Sequence, residues 1–393
     1  MSLEVVIVSS VRTPIGSFQG SLSSIPAPKL GAFAIKGALN KAGVSSDQVD
    51  EVIMGNVLPA GVGQAPARQA SIYAGLPDSV ECLTINKMCG SGLKAIMLAE
   101  QAIKAGDAEI IVAGGMENMS QTPYYLQKVR DGLHLGHGKV IDGLIHDGLW
   151  DVYNDLHMGN CAEICAKDYG FDRKQQDAFA KQSYKRSQWA QSGGLFLDEI
   201  IPVEIPRRKS EPAIVNTDEE PSRVNFEKLP LLRPAFEKDG SITAANASTI
   251  NDGAAASVLM SGEKAMELGL KPMVQIISQA SSAQAPEWFT TAPVKAMNVA
   301  LKKAELNINE IDLFEINEAF SVVVMAAIKE LNLNPEIVNI NGGAVSMGHP
   351  IGASGARIIA TLLNAMNQKN AKRGMASICI GGSEASAVIV EKI

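Results

Sequence analysis

Glu81-Cys-Leu-Thr-Ile-Asn-Lys-Met-Cys89, followed at once by Gly90-Ser-Gly-Leu-Lys-Ala-Ile-Met-Leu-Ala-Glu-Gln-Ala102, reads as strand, tight turn and helix with a cysteine at the junction. Apolar and β-branched residues fill the first part, small residues the turn, and helix formers the remainder. The same grammar returns near the other end of the chain. Asn341-Gly-Gly-Ala-Val-Ser-Met-Gly-His-Pro-Ile-Gly-Ala-Ser-Gly355 is a glycine-rich approach to a helical pattern and contains His349. Cys379 follows Met375-Ala-Ser-Ile and precedes Ile380-Gly-Gly-Ser-Glu384.

Outward from these stretches, further segments recur in the same order. Leu39-Asn-Lys-Ala-Gly43 with Val49-Asp-Glu-Val52 answers to Leu301-Lys-Lys-Ala-Glu305 with Ile311-Asp-Leu-Phe314; 301 − 39, 311 − 49 and 312 − 50 all give 262. Thr84-Ile-Asn86 pairs with Asn339-Ile-Asn341, Ser91-Gly-Leu-Lys-Ala-Ile96 with Ser354-Gly-Ala-Arg-Ile-Ile359, and Gly114-Gly-Met-Glu-Asn-Met-Ser120 with Gly381-Gly-Ser-Glu-Ala-Ser386. Helical patterns alternate with strand runs in each copy, so the chain is expected to be α/β and built from a duplicated unit. Between the copies, 121–247 changes character. It holds the loop signal Asp131-Gly-Leu-His-Leu-Gly-His-Gly138, a charged stretch over 207–220, and one helix over 173–191 with Ala178, Phe179, Ala180, Tyr184 and Ser187 expected inward. That pattern reads as an inserted loop domain, and long insertions are often functional. The expected division is 1–120 plus 248–270 for the first half, 121–247 for the insertion, and 271–393 for the second half.

At 393 residues, 46% hydrophobic and 20% charged, the chain has ample length for buried cores and too little charge for disorder. A net charge of −7 argues against a nucleic-acid binder. Apolar runs stop well short of a membrane span, and the opening Met1-Ser-Leu-Glu-Val-Val-Ile-Val8 reads as a first strand. Five cysteines without framework spacing fit a reducing compartment. The cytoplasm is the expected location, or the mitochondrion if a presequence has been removed.

Crevices beyond strand ends are where α/β folds gather their sites, and a pseudo-twofold core would bring loops of both halves together. Cys89 reads as a nucleophile whose thiolate and bound oxyanion would face the N–H groups of the following helix, or as a buried packing cysteine. His349, held in a loop by Pro350, reads as the imidazole that takes a thiol proton or as a turn histidine. Cys379 suits a general acid/base. Asn317, in Glu315-Ile-Asn-Glu-Ala-Phe320, reads as a holder of a water or oxyanion, or as a turn cap. Cys82, Cys161 and Cys165 read as packing residues, and the remaining histidines offer no zinc pattern.

Together these motifs resemble the thiolase family over essentially the whole chain. The carriers are Asn86-Lys-Met-Cys-Gly-Ser-Gly92, Gly114-Gly-Met-Glu-Asn-Met-Ser120, Asn317-Glu-Ala-Phe320, the 341–355 stretch and Cys379-Ile-Gly-Gly382. Within the family the likeness is greatest to the mitochondrial and plant-like, potassium-responsive branch. The resemblance implies two βαβαβαββ halves in a five-layer α-β-α-β-α core, and a reversible Claisen condensation of two acetyl-CoA to acetoacetyl-CoA and coenzyme A. Cys89 would carry the acetyl group, His349 would take its proton, and Cys379 would move the α-proton. His349 and an Asn317-held water would form one oxyanion hole, and the N–H groups of Cys89 and Gly381 the other. The insertion would hold coenzyme A through Arg223, Ser248 and His157, with Leu149, Met158, Phe236, Ala244, Ala319 and Phe320 along the tunnel and Met158 favouring short acyl chains.

The resemblance also implies a potassium ion near Tyr184, Ala244, Ala245, Ala247 and Val345, no tightly bound cofactor, and a homotetramer. A longer-chain 3-ketoacyl-CoA thiolase and a catalytically silent coenzyme A binder are the competing readings. Two places depart from the family pattern: Ser383-Glu384 replaces a third glycine after Cys379, and Thr290 replaces a proline beside Phe289.

Overall fold

The computed structural model describes residues 4–207 and 211–393. The first half runs β1 (Val5–Arg12), α1 (Ala27–Ala42), β2 (Glu51–Gly55), α2 (Pro66–Ala74), β3 (Glu81–Ile85), α3 (Ser91–Ala105) and β4 (Ile110–Asn118). An insertion with helices α4 (Met158–Tyr169) and α5 (Arg173–Ser192) intervenes before β5 (Asn251–Ser261) completes that half. The second half runs β6 (Val274–Ala283), α6 (Ala292–Ala304), β7 (Leu313–Ile316), α7 (Ser321–Leu331), α8 (Ile351–Lys369), β8 (Arg373–Ile380) and β9 (Glu384–Glu391).

The strand order is β3-β2-β4-β5-β1 in the first half and β7-β8-β9-β6 in the second, with Phe314 of β7 also bridging to Val338 where β3 has its counterpart. Pairings agree in direction too: β2 runs parallel to β3 and β4, and β7 parallel to β8, while the last two pairings in each half are antiparallel. The halves join where Val6 and Ile7 of β1 pair with Gln275 and Val274 of β6.

Alternation within each strand explains the layers. Val52 and Met54 of β2 share the outer apolar cluster with Ala67 and Ala70 of α2 and Leu30 and Ile35 of α1, while Ile53 shares the inner one with Leu93 and Ile96 of α3. In β8, Met375 faces outward to Met297 and Leu301 of α6, and Ala376 and Ile378 face inward to α8. Strands covered on both faces read as nearly unbroken apolar runs, which is why their sequences look so uniform. Helices α3 and α8 fill the middle layer back to back. A Cβ on Gly92 would stand 2.7 Å from the Ala356 nitrogen, and one on Gly355 would stand 2.3 Å from the Leu93 nitrogen, so only glycine permits this approach. The result is α-β-α-β-α.

Two expectations need correction. The Gly114 and Gly381 segments are not equivalent: 381 − 114 is 267, whereas 354 − 91 is 263, a difference of four residues. Gly114 lies within β4, while Gly381 lies in the turn after β8, so this likeness comes from shared turn-forming composition rather than shared place. On α5, Ala178 is exposed and Phe179 only half-buried. The buried stripe is Gln176, Asp177, Ala180, Ser183, Tyr184, Ser187 and Ala190, because this helix docks on polar partners such as Glu318 and Ser346 rather than on an apolar core.

Candidate active site

Cys89, His349 and Gly381 open on one cavity of about 240 Å³, whose wall also includes Leu149, His157, Met158, Phe236, Ala247, Ser248, Phe289, Ala319 and Phe320. Its floor comes from both halves and its roof from the insertion. Phe320 stands edge-on to Phe236 and to Phe289, each at 6.1 Å between ring centres, which keeps the chamber apolar.

Cys89 is placed by a strained turn. Met88, just before it, has φ +45°, and the Ser91 hydroxyl donates to the Met88 carbonyl while accepting from the Lys87 N–H. The backbone N–H groups of Gly381 and of Cys89 itself favour the thiolate. Burial nevertheless pushes the Cys89 thiol up to about 11, with the Glu117 charge adding to the rise. Cys379 is 1% exposed, at the end of β8, packed with Met158, Ala319 and Phe320. Burial and the neighbouring Cys89 sulfur hold its thiol well above the usual range, against N–H groups of Cys379 and Ala319.

His349 hangs from a glycine turn. Gly348 has φ +105°, with the Asn251 side chain where a Cβ would be; the Asn251 oxygen accepts the His349 N–H at 2.9 Å. Nδ1 meets Ser354 Oγ at 2.6 Å, and Nε2 has no partner among the described residues. Burial, then the positive charge of Arg357, pulls the imidazole down to about 3, so it rests neutral. Asn317 is fully buried; its oxygen accepts from Arg357 Nη2 at 3.5 Å, and its Nδ2 has no partner among the described residues. Arg357 can only donate, so it selects the amide oxygen and leaves the NH₂ as a free donor.

Two carboxylates shape these loops from behind. Glu117 accepts from the N–H groups of Val57, Leu58 and Gly352 and from the Asn56 amide, tying the first half to the start of α8. Burial outweighs those donors and brings it up to about 7. Glu315 faces Arg357 at 3.4 Å and is raised by burial to about 8 despite that cation. Neither stood out in the sequence. One signal was available for this region: Ser354, Arg357, Thr361 and Asn364 are the polar stripe of a helix buried throughout 351–366.

In the insertion, His157 caps α4, its Nδ1 accepting the Gly159 N–H at 3.0 Å, and its ring stacks on Phe236 at 4.7 Å. The bare Nδ1 puts the neutral ring's proton on Nε2. Burial lowers its pKa and keeps it neutral. Cys161 and Cys165 are buried and Cys82 half-buried. Arg223 and Ala244 are exposed and do not line the cavity. Tyr184 packs on Val345 at some remove, in a cluster with Ala180; Ala245 is buried. Ser383 takes up φ +63° while buried, and β8 and β9 keep their register through Ile380 and Glu384. The hairpin therefore absorbs the missing glycine without a slip. Thr290 is buried behind Phe289.

Known proteins with this architecture are numerous. The family model described as "Thiolase, N-terminal domain" matches residues 5–263 and "Thiolase, C-terminal domain" matches 270–392. The acetyl-CoA acetyltransferase of Schizosaccharomyces pombe is 53% identical over 394 residues, covering 100% of both chains. The mitochondrial acetyl-CoA acetyltransferase of Danio rerio is 52% identical over 99% of this chain and 92% of its own. The crystal structure of a thiolase from Ascaris suum in complex with coenzyme A superposes with a TM-score of 0.94 at 46% identity, covering 99% of this chain and 100% of that one. The chain belongs to the thiolase family.

Proposed function

We propose that the chain is an acetyl-CoA C-acetyltransferase, joining two acetyl-CoA into acetoacetyl-CoA and coenzyme A and running the thiolysis in reverse. The observation that carries this reading is the convergence of Cys89, His349 and Gly381 on one small apolar cavity, with Cys379 packed behind it. Relatives about half identical over their full length bear that enzyme's name.

The Cys89 proton passes to His349 Nε2 as sulfur attacks the thioester carbon. The bond to coenzyme A breaks, and its sulfur takes that proton from the imidazolium. Cys379 passes its thiol proton to His349 Nε2 and, as thiolate, removes an α-proton from the second acetyl-CoA; the carbanion attacks acetyl-Cys89, a C–C bond forms, and Cys89 leaves as thiolate and regains its proton from the His349 imidazolium. Developing negative charge on the two thioester oxygens meets preorganised donors. One set is His349 Nε2–H with a water on Asn317 Nδ2, and the other the N–H groups of Cys89 and Gly381.

The divisions 1–120 plus 248–270, 121–247 and 271–393 serve as first half, coenzyme A-binding insertion and second half. Arg223 meets the nucleotide end, Ser248 and His157 the pantetheine arm, and Leu149, Phe236, Ala244, Ala319 and Phe320 the tunnel. Met158, at the closed end, limits chain length and speaks against the longer-chain reading. A potassium ion suits the Tyr184 region, where the buried phenol feels the Glu220 and Glu318 charges and Ala244, Ala245, Ala247 and Val345 offer carbonyls. Bound there, it supplies a fixed positive charge beside the turn that leads to His349. We further propose a homotetramer acting in cytoplasmic lipid metabolism.

The test is turnover of acetoacetyl-CoA with coenzyme A by the purified protein, together with a series of longer 3-ketoacyl substrates. Absence of turnover on every substrate returns the reading to a silent coenzyme A binder. Faster turnover on six carbons or more would favour the longer-chain reading.

A further inference from the structure

The proposed chemistry turns on which His349 nitrogen is bare. A hydroxyl has one proton, and Ser354 Oγ donates it to the Pro350 carbonyl at 2.9 Å, a group with no proton to return. The Ser354 lone pairs are then what faces His349 Nδ1 at 2.6 Å, so Nδ1 must be the donor in that contact. A neutral ring with its proton on Nδ1 has a bare Nε2, and Nε2 is the nitrogen without a partner among the described residues. His157 is set the opposite way, since its Nδ1 accepts a backbone N–H. Two histidines in one cavity wall thus present opposite faces, one an acceptor and one a donor.

We propose that Ser354 is a positioning residue that fixes His349 as the Nδ1–H tautomer, leaving Nε2 open to the Cys89 proton. The inference deepens the reading above and rests on the base role it gives His349. Ser354 also serves the charged ring: when Nε2 gains the proton, Nδ1–H keeps its acceptor. Among the described residues nothing else is in hydrogen-bond contact with Nδ1, and Arg357, the nearby cation, opposes the charged ring rather than supporting it. Burial at 0% exposure keeps water from replacing the Ser354 oxygen.

The tautomer is read by ¹⁵N nuclear magnetic resonance of the full-length protein labelled at histidine, with His349→Asn and His157→Asn identifying the two signals among five histidines. The expected spectrum has the His349 proton on Nδ1 and the His157 proton on Nε2; a His349 proton on Nε2 overturns the proposal. This reading uses the unaltered protein, so it decides the matter even where a variant does not fold. First-turnover release of coenzyme A from acetyl-CoA supplies the kinetic arm. Ser354→Ala is expected to slow Cys89 acylation about 10–100-fold, up to the lower end of what general-base catalysis contributes because the base itself remains, with KM little changed. Wild-type acylation in Ser354→Ala alongside slow acylation in His349→Asn overturns this inference alone. Wild-type acylation in His349→Asn overturns the base role itself, and with it the first step of the proposed reaction.

Discussion

The Cys89 turn and the Cys379 turn carry the same parts and make different thiols of them. Each follows a strand, each contains small residues, and each has a non-glycine residue with positive φ, Met88 at +45° and Ser383 at +63°. The element after each turn separates them. Beyond Cys89 the chain enters helix α3, and the sulfur stands in the cavity wall under two backbone N–H groups. Beyond Cys379 the chain folds back as the antiparallel strand β9, and the sulfur is left among Met158, Ala319 and Phe320. N–H groups assist both sulfurs, and access to the cavity separates them: a thiol in the cavity wall can leave and return as a thiolate. One enclosed by apolar groups holds its proton more tightly and is the stronger base once ionised.

That contrast breaks most visibly in single turnovers. Cys89→Ala is expected to abolish acylation and condensation together, a loss of about 10⁴-fold or more. Cys379→Ala is expected to release one equivalent of coenzyme A per site at near wild-type rate and then stall, with condensation down about 10²–10⁴-fold. Equal defects in both half-reactions would erase the division of labour. A smaller effect sharpens it. With the Cys89 thiol raised to about 11, it is protonated below that pH and its thiolate fraction grows as pH rises. Alkylation of Cys89 by iodoacetamide in the free enzyme should therefore climb about tenfold per unit from pH 7 to 10, with Cys379 modified more slowly throughout. A plateau near pH 7 would mean that an imidazolium–thiolate pair already exists at rest.

Much of this was legible beforehand because it is local. The strand-turn-helix at Cys89, the bend at His349-Pro350 and the duplicated order all arise from short-range pattern, and the apolar strands announce a sheet covered on both faces. What escaped is the work of residues that meet only in three dimensions. Glu117 gathers donors from Asn56 to Gly352, a span no periodicity encodes. Arg357 acts through Asn317 and Glu315 on a different element. The buried face of α5 misled for a related reason: its inward residues are polar because their partners are polar, so counting apolar residues picked Ala178. The Gly114 and Gly381 likeness shows the converse error, in which similar turn composition stands in for equivalent position.

The smallest effect tests whether strain in the two turns serves the same end. Ser383 holds a left-handed conformation that costs an L-residue about 1–2 kcal/mol, and its buried hydroxyl lacks a partner among the described residues. No described group of the site hydrogen-bonds that hydroxyl, so Ser383→Gly is expected to raise stability to urea by about 1–2 kcal/mol and leave turnover unchanged. Met88 holds a similar conformation, but its side chain packs beside Leu144 and Ile351 and lies 3.7 Å from where a Gly381 Cβ would stand. Met88→Gly relieves the same backbone strain while removing that support from the Cys89 and Gly381 donors. It should therefore lower the acylation rate, whatever it does to stability. If Ser383→Gly also slows acylation, the strain after Cys379 is part of the catalytic geometry too, and the two turns are more alike than their thiols suggest.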